Sequence, residues 1–187
     1  RGLGDVYKRQ PHVSFLGAGY DKVLVVNSFS KTFAMTGWRM GYILSSHAQA
    51  MQQVIKMQYY IAACSNDAMQ HAILATIEQA SDYPDMVAAE FKQRRDLIVN
   101  RLNSMPGVEC HKPQGAIYVF PKVTVPGMNS QDLAMELLKD GVLCSPGSAF
   151  GPSGEGHLRF AYTISQEDIT RGMDKVETTL NRLLGMD

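Results

Sequence analysis

An apolar run that ends near a lysine constrains this chain more than any other feature of its sequence. The run Val23-Leu24-Val25-Val26 predicts a buried strand over residues 22–27, and Lys31 lies just beyond its carboxyl end. Open α/β sheets bind their ligands at the carboxyl ends of strands, so an amine at this position can react. Because apolar and aromatic neighbours reduce the hydration of an ammonium group, we expect Lys31 to be available as a Schiff-base nucleophile.

A hydroxyl and a guanidinium flank this lysine. Ser28 and Arg39 can both bind an anion, and the guanidinium fork matches the geometry of phosphate oxygens. A lysine amine beside a phosphate-binding pair predicts a phosphorylated carbonyl ligand, and pyridoxal phosphate is the cofactor that requires both. The alternative interpretation is a solvated lysine between a strand and a helix, with Arg39 as an ordinary surface charge.

The residues around Lys31 also resemble a known signature. Sixteen contiguous residues, 27–42, resemble the cofactor-lysine motif of the class I/II aminotransferases, with serine, lysine and arginine in the family's spacing. These are fold-type I pyridoxal phosphate enzymes related to aspartate aminotransferase. The resemblance implies that Lys31 forms the covalent link to pyridoxal phosphate and that Ser28 and Arg39 bind the cofactor phosphate.

Three later segments resemble the same family. Residues 113–121 resemble a strand of its small domain, with Ile117 where an aromatic residue is more usual, and residues 141–151 resemble the loop that closes over the substrate. The segment His157-Leu158-Arg159-Phe160-Ala161-Tyr162 resembles the strand whose arginine binds the substrate α-carboxylate, so we assign that role to Arg159. An inward-facing arginine among apolar residues needs an anionic partner, whereas the alternative is an arginine on the solvent face of an edge strand.

The resemblance implies an α/β fold, namely the C-terminal part of the pyridoxal phosphate-dependent transferase fold type I. That part comprises the end of the large-domain α/β/α sheet and a small α+β domain. We predict the domain boundary near residue 95, so that residues 11–95 belong to the cofactor-binding large domain and residues 96–187 to the small domain. Family members form homodimers, and the Cys64-Ser65-Asn66 loop is a candidate contributor to the partner's site.

Periodicity and turn residues predict the other elements. Predicted helices cover residues 47–60, 67–80, 83–104, 130–139 and 166–184, and further predicted strands cover residues 40–44, 108–111, 116–120, 142–144 and 157–162. Ser65-Asn66-Asp67 and Ser165 supply candidate N-caps for two of the helices. Residues 121–130 and 146–156 are predicted loops. We expect the second loop to move with the small domain and to exclude water, whereas a surface loop without function is the alternative.

The first ten residues, RGLGDVYKRQ, resemble a translated sequencing-adapter tail. We expect residues 1–10 to be non-native, with a native loop as the alternative. In the resembled family, the acid that pairs with the pyridine nitrogen precedes the lysine strand. Asp5 lies in the suspected tail and Asp21 lies at the start of the lysine strand, so neither suits that role. We therefore expect this chain to contain half of an active site and to be inactive by itself.

Composition gives no support for two classes of partner. A formal net charge of zero and a sequence pI of about 7.1 give no charge-based support for binding to nucleic acid or to a membrane surface. Cys64, Cys110 and Cys144 form an odd, widely spaced set that indicates reduced core thiols in a cytoplasmic protein. The five histidines show no paired spacing, so we expect no metal site.

The sequence therefore predicts a pyridoxal phosphate-dependent aminotransferase that transfers an amino group between an L-amino acid and a 2-oxo acid. Three alternatives remain: a fold-type I lyase or decarboxylase, the aminotransferase-like sensor domain of a transcriptional regulator, and a non-functional partial protein.

Overall fold

The computed structural model describes residues 14–186. Contacts between residues divide the chain into two units between Val87 and Ala88. A continuous helix, Tyr83–Asn103, contains this division. The domain boundary near residue 95 stays a prediction, and the suspected tail at residues 1–10 lies outside the described residues.

The described residues of the first unit, 14–87, form a two-stranded sheet and three complete α-helices. Its elements are β1 (Val25–Ser28), α1 (Phe29–Thr32), β2 (Gly41–Leu44), α2 (Ala48–Ala62) and α3 (Asp67–Gln79). Asn66 is the N-cap of α3, because its Oδ1 accepts a hydrogen bond from the backbone N–H of Met69 at 3.2 Å. The predicted cap among Ser65-Asn66-Asp67 is therefore confirmed.

Strand β1 is not buried, contrary to the prediction for residues 22–27. It pairs antiparallel with β2, with Val25 opposite Leu44 and Ser28 opposite Gly41. In the part of the chain that the structure describes, β2 is its one paired neighbour, and Val26 is 72% exposed. Apolar composition predicted the strand, but burial also requires covering layers on both faces.

The second unit contains the main hydrophobic core. The long helix is α4 (Tyr83–Asn103), and its part from Ala88 onward belongs to this unit. The other elements are β3 (Val108–Glu109), β4 (Tyr118–Val119), β5 (Lys122–Val123), α5 (Ser130–Lys139), β6 (Ser145–Pro146), β7 (Leu158–Ala161) and α6 (Gln166–Leu184). Strand β7 lies between β4 and β6, whereas β3 pairs with β5. Leu102, Leu137, Leu158, Tyr162 and Leu180 are fully buried and join the helices to the sheet.

Two helices of this unit have the bounds that the sequence predicts. Helices α5 and α6 occupy the predicted residues, 130–139 and 166–184. Ser165 caps α6, since its Oγ accepts a hydrogen bond from the N–H of Asp168 at 3.0 Å. Local capping chemistry therefore suffices to place these helix ends.

The predicted strand over residues 142–144 is wrong. Gly141 has φ 81°, and the N–H groups of Gly141 and Val142 donate to the carbonyls of Leu138 and Leu137, both at 2.9 Å. These bonds complete the end of α5, so the backbone at Val142 is not available to a sheet. Pairing begins at β6, and Leu143 is 83% exposed.

Strand β5 lies inside the segment predicted to be a loop, residues 121–130. Val123 pairs with Val108, and the N–H of Thr124 donates to the carbonyl of Gly107 at 2.8 Å. Val123 and Val125 are buried, so the apolar alternation Val123-Thr124-Val125 was the signal for this strand.

The predicted strand over residues 116–120 is reduced to β4. Ala116 has φ 66°, which is incompatible with a continuous extended strand, and Pro121 has no N–H to donate to a neighbour. Ala116 still contributes to the packing, since its carbonyl accepts a hydrogen bond from the hydroxyl of Tyr162 at 2.8 Å.

The three cysteines are free and differ in exposure. Cys110 is buried, Cys144 is half-buried, and Cys64 is exposed between α2 and α3, so Cys64 is not the core thiol that we predicted. Within residues 14–186, no helix has the length and apolar character needed to cross a membrane. The same residues contain no group of three or more His, Cys, Asp or Glu side chains that could hold a metal ion.

Candidate functional site

Ser28 organises the turn between β1 and β2. Its Oγ accepts a hydrogen bond from the N–H of Ser30 at 3.1 Å and thereby caps the single turn of α1. The same Oγ lies 3.3 Å from the carbonyl oxygen of Met40, the residue after Arg39. A Cβ on Gly41 would lie 2.5 Å from the carbonyl oxygen of Asn27, so glycine permits this close approach of the two strands.

Lys31 lies in α1 and is exposed. Its aromatic neighbours pack elsewhere: the ring of Phe29 lies 5.4 Å from that of Tyr42, and the ring of Phe33 lies 6.2 Å from that of Tyr83. The expectation that these neighbours reduce the hydration of the ammonium group is therefore wrong for the described residues. Within residues 14–186, Lys31 forms no ion pair, which leaves its amine accessible to a ligand.

Arg39 is exposed and its backbone is left-handed, with φ 56°. Its Nη1 donates to the carbonyl of Thr36 at 2.8 Å, and no carboxylate of residues 14–186 forms an ion pair with it. Ala34 is also left-handed, with φ 53°. Such conformations of non-glycine residues are uncommon and concentrate at functional sites, so this turn is a candidate for ligand binding.

The donors in this turn fit a phosphorylated aldehyde. A hydroxyl and a guanidinium can bind phosphate oxygens, while the amine of Lys31 can condense with a carbonyl carbon. A cavity of about 540 Å³ opens beside Arg39 and is also lined by Tyr42 of β2 and Tyr59 of α2. This volume is in the range of small-molecule binding sites. The residues present in the first unit are thus chemically suited to hold pyridoxal phosphate.

Arg159 lies on β7 in the second unit and is half-buried. Ser145 of β6 is directly opposite it, and Nη2 of Arg159 donates to the Oγ of Ser145 at 3.2 Å. No carboxylate within residues 14–186 pairs with this guanidinium. A half-buried cation with several unoccupied donors is suited to an anionic ligand.

Two aromatic rings pack against this guanidinium. The Cζ atom of Arg159 lies 4.6 Å from the ring centroid of Tyr118 and 4.6 Å from that of Phe150. Rings attract a cation at their faces, and stacking leaves the N–H donors at the edge of the guanidinium free. A carboxylate that approaches in the guanidinium plane can therefore accept two parallel hydrogen bonds.

The loop that carries Phe150 is fixed at its base. A Cβ on Gly147 would lie 2.0 Å from the carbonyl oxygen of Gly154, so the two backbone segments touch directly. The N–H of Gly147 also donates to the carbonyl of His157 at 2.8 Å. These contacts join the base of the loop at residues 146–156 to the second unit, and its closing over a substrate stays a prediction.

The sequence analysis missed the residues that support Arg159. Tyr118 is exposed between the buried side chains of Ile117 and Val119, and this alternation was an available signal that it lies on the other face of the sheet. Phe150 is 32 residues further along the chain, in a loop without periodicity, and no local signal predicts its contact with Arg159.

Comparison with known proteins identifies the relatives of this chain. The family model "Aminotransferase class I and II" matches residues 3–176, a range that begins inside the segment predicted to be non-native. The chain is 33% identical to the aspartate aminotransferase of Pyrococcus horikoshii over 178 residues, which cover 94% of this chain and 45% of that protein. It is 34% identical to aromatic-amino-acid aminotransferase 2 of Thermococcus litoralis, covering 90% of this chain and 43% of that protein.

A solved structure shows the same fold. The aromatic aminotransferase from Pyrococcus horikoshii matches with a TM-score of 0.87 at 33% identity, covering 97% of this chain and 49% of that one. The chain therefore spans about half the length of the relatives that it matches, and the prediction of a partial fold-type I α/β structure is confirmed. On the match to the family model and to these relatives, the chain belongs to the class I and II aminotransferase family.

Proposed function

We propose that this chain provides the C-terminal half of a pyridoxal phosphate-dependent aminotransferase. The reaction transfers an amino group between an L-amino acid and a 2-oxo acid. The observation that carries the proposal is that two exposed residues, Lys31 and Arg39, lie in the connection between the paired strands β1 and β2, at the start of which Ser28 caps α1. The family match supports this assignment, because class I and II aminotransferases are pyridoxal phosphate enzymes.

Three residues of the first unit would hold the cofactor. When bound, pyridoxal phosphate supplies an aldehyde that condenses with amines and a ring that accepts electrons from the substrate's Cα. Ser28 and Arg39 bind the phosphate by donating hydrogen bonds to its oxygens. The Nζ of Lys31 would provide the covalent attachment and, once free, would remove the Cα proton of the amino acid in one half-reaction and deliver a proton to the Cα derived from the 2-oxo acid in the other.

Arg159 binds the substrate α-carboxylate in this proposal. Its free edge donors match a carboxylate, and the rings of Tyr118 and Phe150 restrict the orientation of the guanidinium before the substrate arrives. Both an amino acid and a 2-oxo acid carry this carboxylate, so one arginine serves both half-reactions. The relatives named above act on aspartate or aromatic amino acids, which supports an amino acid as the donor.

We also propose a homodimer in the cytoplasm. The exposed Cys64-Ser65-Asn66 loop is the candidate contributor to the partner's site. The free cysteines support a reducing compartment.

Product analysis on the complete gene product tests this function. With pyridoxal phosphate and an amino acid, we expect equimolar pyridoxamine phosphate and 2-oxo acid. Release of carbon dioxide and an amine would instead identify a decarboxylase. Failure to convert a broad panel of amino acids, with the cofactor bound at Lys31, would contradict enzymatic transamination and support a ligand sensor.

A further inference from the structure

A carboxylate outside the proposed substrate contacts ties the Phe150 loop to helix α5. Glu155 Oε1 accepts hydrogen bonds from the N–H of Ser130 at 2.6 Å and from the N–H of Gly156 at 2.9 Å. Its Oε2 accepts a third bond, from the hydroxyl of Ser130 at 3.0 Å. The backbone N–H groups of Ser130 and Gly156 lower the pKa of Glu155, so the carboxylate is ionised at neutral pH. Ser130 is the first residue of α5, where a negative charge is favourable.

Ser130 links this carboxylate to the turn that contains Phe150. Its side chain is buried, with 2% of the residue exposed, and its Oγ lies 3.1 Å from the Oγ of Ser148. The N–H of Ser148 also donates to the Oγ of Ser130 at 3.3 Å. Ser148 and Phe150 belong to one short 3-10 turn, Gly147–Phe150. The hydrogen bonds therefore run from Glu155 through Ser130 to the backbone of the Phe150 turn.

The Phe150 ring also contacts an aromatic pair. Phe120 meets it edge to face with 5.8 Å between ring centroids, and Phe120 in turn stacks on His157 at 5.0 Å. Such contacts tolerate sliding more readily than hydrogen bonds with fixed donors and acceptors. The position of the ring over Arg159 thus depends on the anchored backbone of its turn.

We propose that Glu155 is a positioning residue: through Ser130 and Ser148 it fixes the ring of Phe150 against the guanidinium of Arg159 and so strengthens carboxylate binding. Glu155 itself does not touch the substrate in this proposal. The effect on carboxylate binding rests on the function proposed for Arg159, whereas the position of the ring does not.

The position of the ring is tested first, in the 187-residue chain without ligand. Proton NMR measures the nuclear Overhauser effects between the Phe150 ring and the Arg159 side chain. We expect them to be strong in the wild type, clearly weaker in Glu155→Ala, and intermediate in Glu155→Gln, which keeps an acceptor but loses the charge. Glu167→Ala is the matched control, because Glu167 is likewise an exposed glutamate at a helix N-terminus, in the first turn of α6.

Carboxylate affinity is tested second, with acetate as the probe and the Arg159 Nε–Hε resonance as the readout. We expect Glu155→Ala to weaken acetate binding roughly tenfold, as displacement of supporting residues typically does. Ser130→Ala should weaken it similarly, and the double variant should be no worse than either single variant, because both act through one chain of contacts.

The outcomes separate this inference from the proposed function. Overhauser effects in Glu155→Ala equal to those of Glu167→Ala would overturn the positioning role, whatever the wild type binds. Weakened effects in a protein whose core signals are unchanged support it. If the ring moves but wild-type Arg159 shows no response to acetate, the positioning of Phe150 stands, and the substrate role proposed for Arg159 fails.

Discussion

The turn around Lys31 and the strand around Arg159 present cationic groups in opposite ways. Lys31 and Arg39 are exposed, have no carboxylate partner in the described chain, and depend on one serine cap and a two-stranded sheet for their placement. Arg159 is half-buried in a three-stranded sheet and contacts two rings and a hydroxyl. The first site is specified by local backbone geometry and the second by packing.

This difference fits the two roles that we propose. A nucleophilic amine must be reachable and must move, so the exposure of Lys31 is compatible with its proposed role. A group that binds a carboxylate gains affinity when its orientation is fixed before binding, and packing would fix the orientation of Arg159 in its proposed role. We therefore expect substitution of Lys31 to abolish covalent attachment of the cofactor. Substitution of Arg159 should only weaken carboxylate binding.

The largest expected effect is at Lys31. Treatment with pyridoxal phosphate and borohydride should attach the reduced cofactor to the peptide that contains Lys31, and Lys31→Ala should lose that label completely, because no other amine is in the motif. Peptide mapping by mass spectrometry measures the label. Lys56→Ala, an exposed lysine on α2, is the control and should keep it. Equal labelling of Lys31→Ala and the wild type would show that Lys31 is not the attachment site.

A graded loss is expected at Arg159. In the complete gene product, Arg159→Ala should cost ~2–5 kcal/mol of carboxylate binding, or roughly 30- to 3000-fold in kcat/KM. Arg159→Lys should recover only part, since an ammonium cannot form the bidentate fork. Steady-state kinetics with an amino acid and with a primary amine lacking the carboxylate provide the measurement. Arg171→Ala, which changes an exposed arginine, is the control. Equal losses of kcat/KM for both substrates would show that a group other than Arg159 binds the carboxylate.

The reactivity of the cysteines tests whether the first unit is more exposed than the second at positions away from the two candidate sites. Burial raises the pKa of Cys110 and of Cys144 to about 11, whereas Cys64 is exposed. Because the thiolate is the reactive form, at pH 8 we expect Cys64 to react with iodoacetamide faster than the other two by roughly two orders of magnitude. Mass spectrometry follows each thiol, and Cys64→Ser should remove the fast phase. Fast reaction at Cys110 would mean that the second unit opens readily.

The smallest expected effect is on the pH dependence of folding stability, through Glu155. The folded state lowers the pKa of Glu155, so this group stabilises the fold above its unfolded pKa of about 4.3, and that contribution is lost as pH falls through the lowered value. Urea unfolding of the wild type and Glu155→Gln, compared from pH 7 to pH 3, should give curves that converge at low pH. A difference in stability independent of pH would show that the charge of Glu155 is not involved.

Local signals in the sequence predicted much of the fold. Asn66 and Ser165 mark helix starts because an N-cap needs only its own side chain and the next turn. The strands were harder, since pairing joins distant residues: Val108 with Val123, or Ser145 with Arg159. The end of α5 also uses the backbone N–H of Val142, a residue that the sequence pattern had assigned to a strand.

The same distinction between local and distant contacts applies to the candidate sites. Ser28, Lys31 and Arg39 lie within twelve residues of sequence, so one motif contains them all. The surroundings of Arg159 come from Tyr118, Ser145 and Phe150, whose meeting depends on sheet register and on a loop closed by two glycines. Sequence patterns predict candidate reactive groups, but not the residues that contact those groups from distant segments of the chain.

The left-handed backbone of Arg39 has a consequence for engineering. At φ 56° a glycine costs less than an arginine, by about 1 kcal/mol, so selection for thermal stability alone would favour Arg39→Gly. Ala34 shares the conformation without a charged side chain, so Ala34→Gly should relax the same turn and keep the guanidinium. Stability and the proposed phosphate binding thus compete at position 39 but not at position 34, and a stabilised variant of this chain should be sought at position 34.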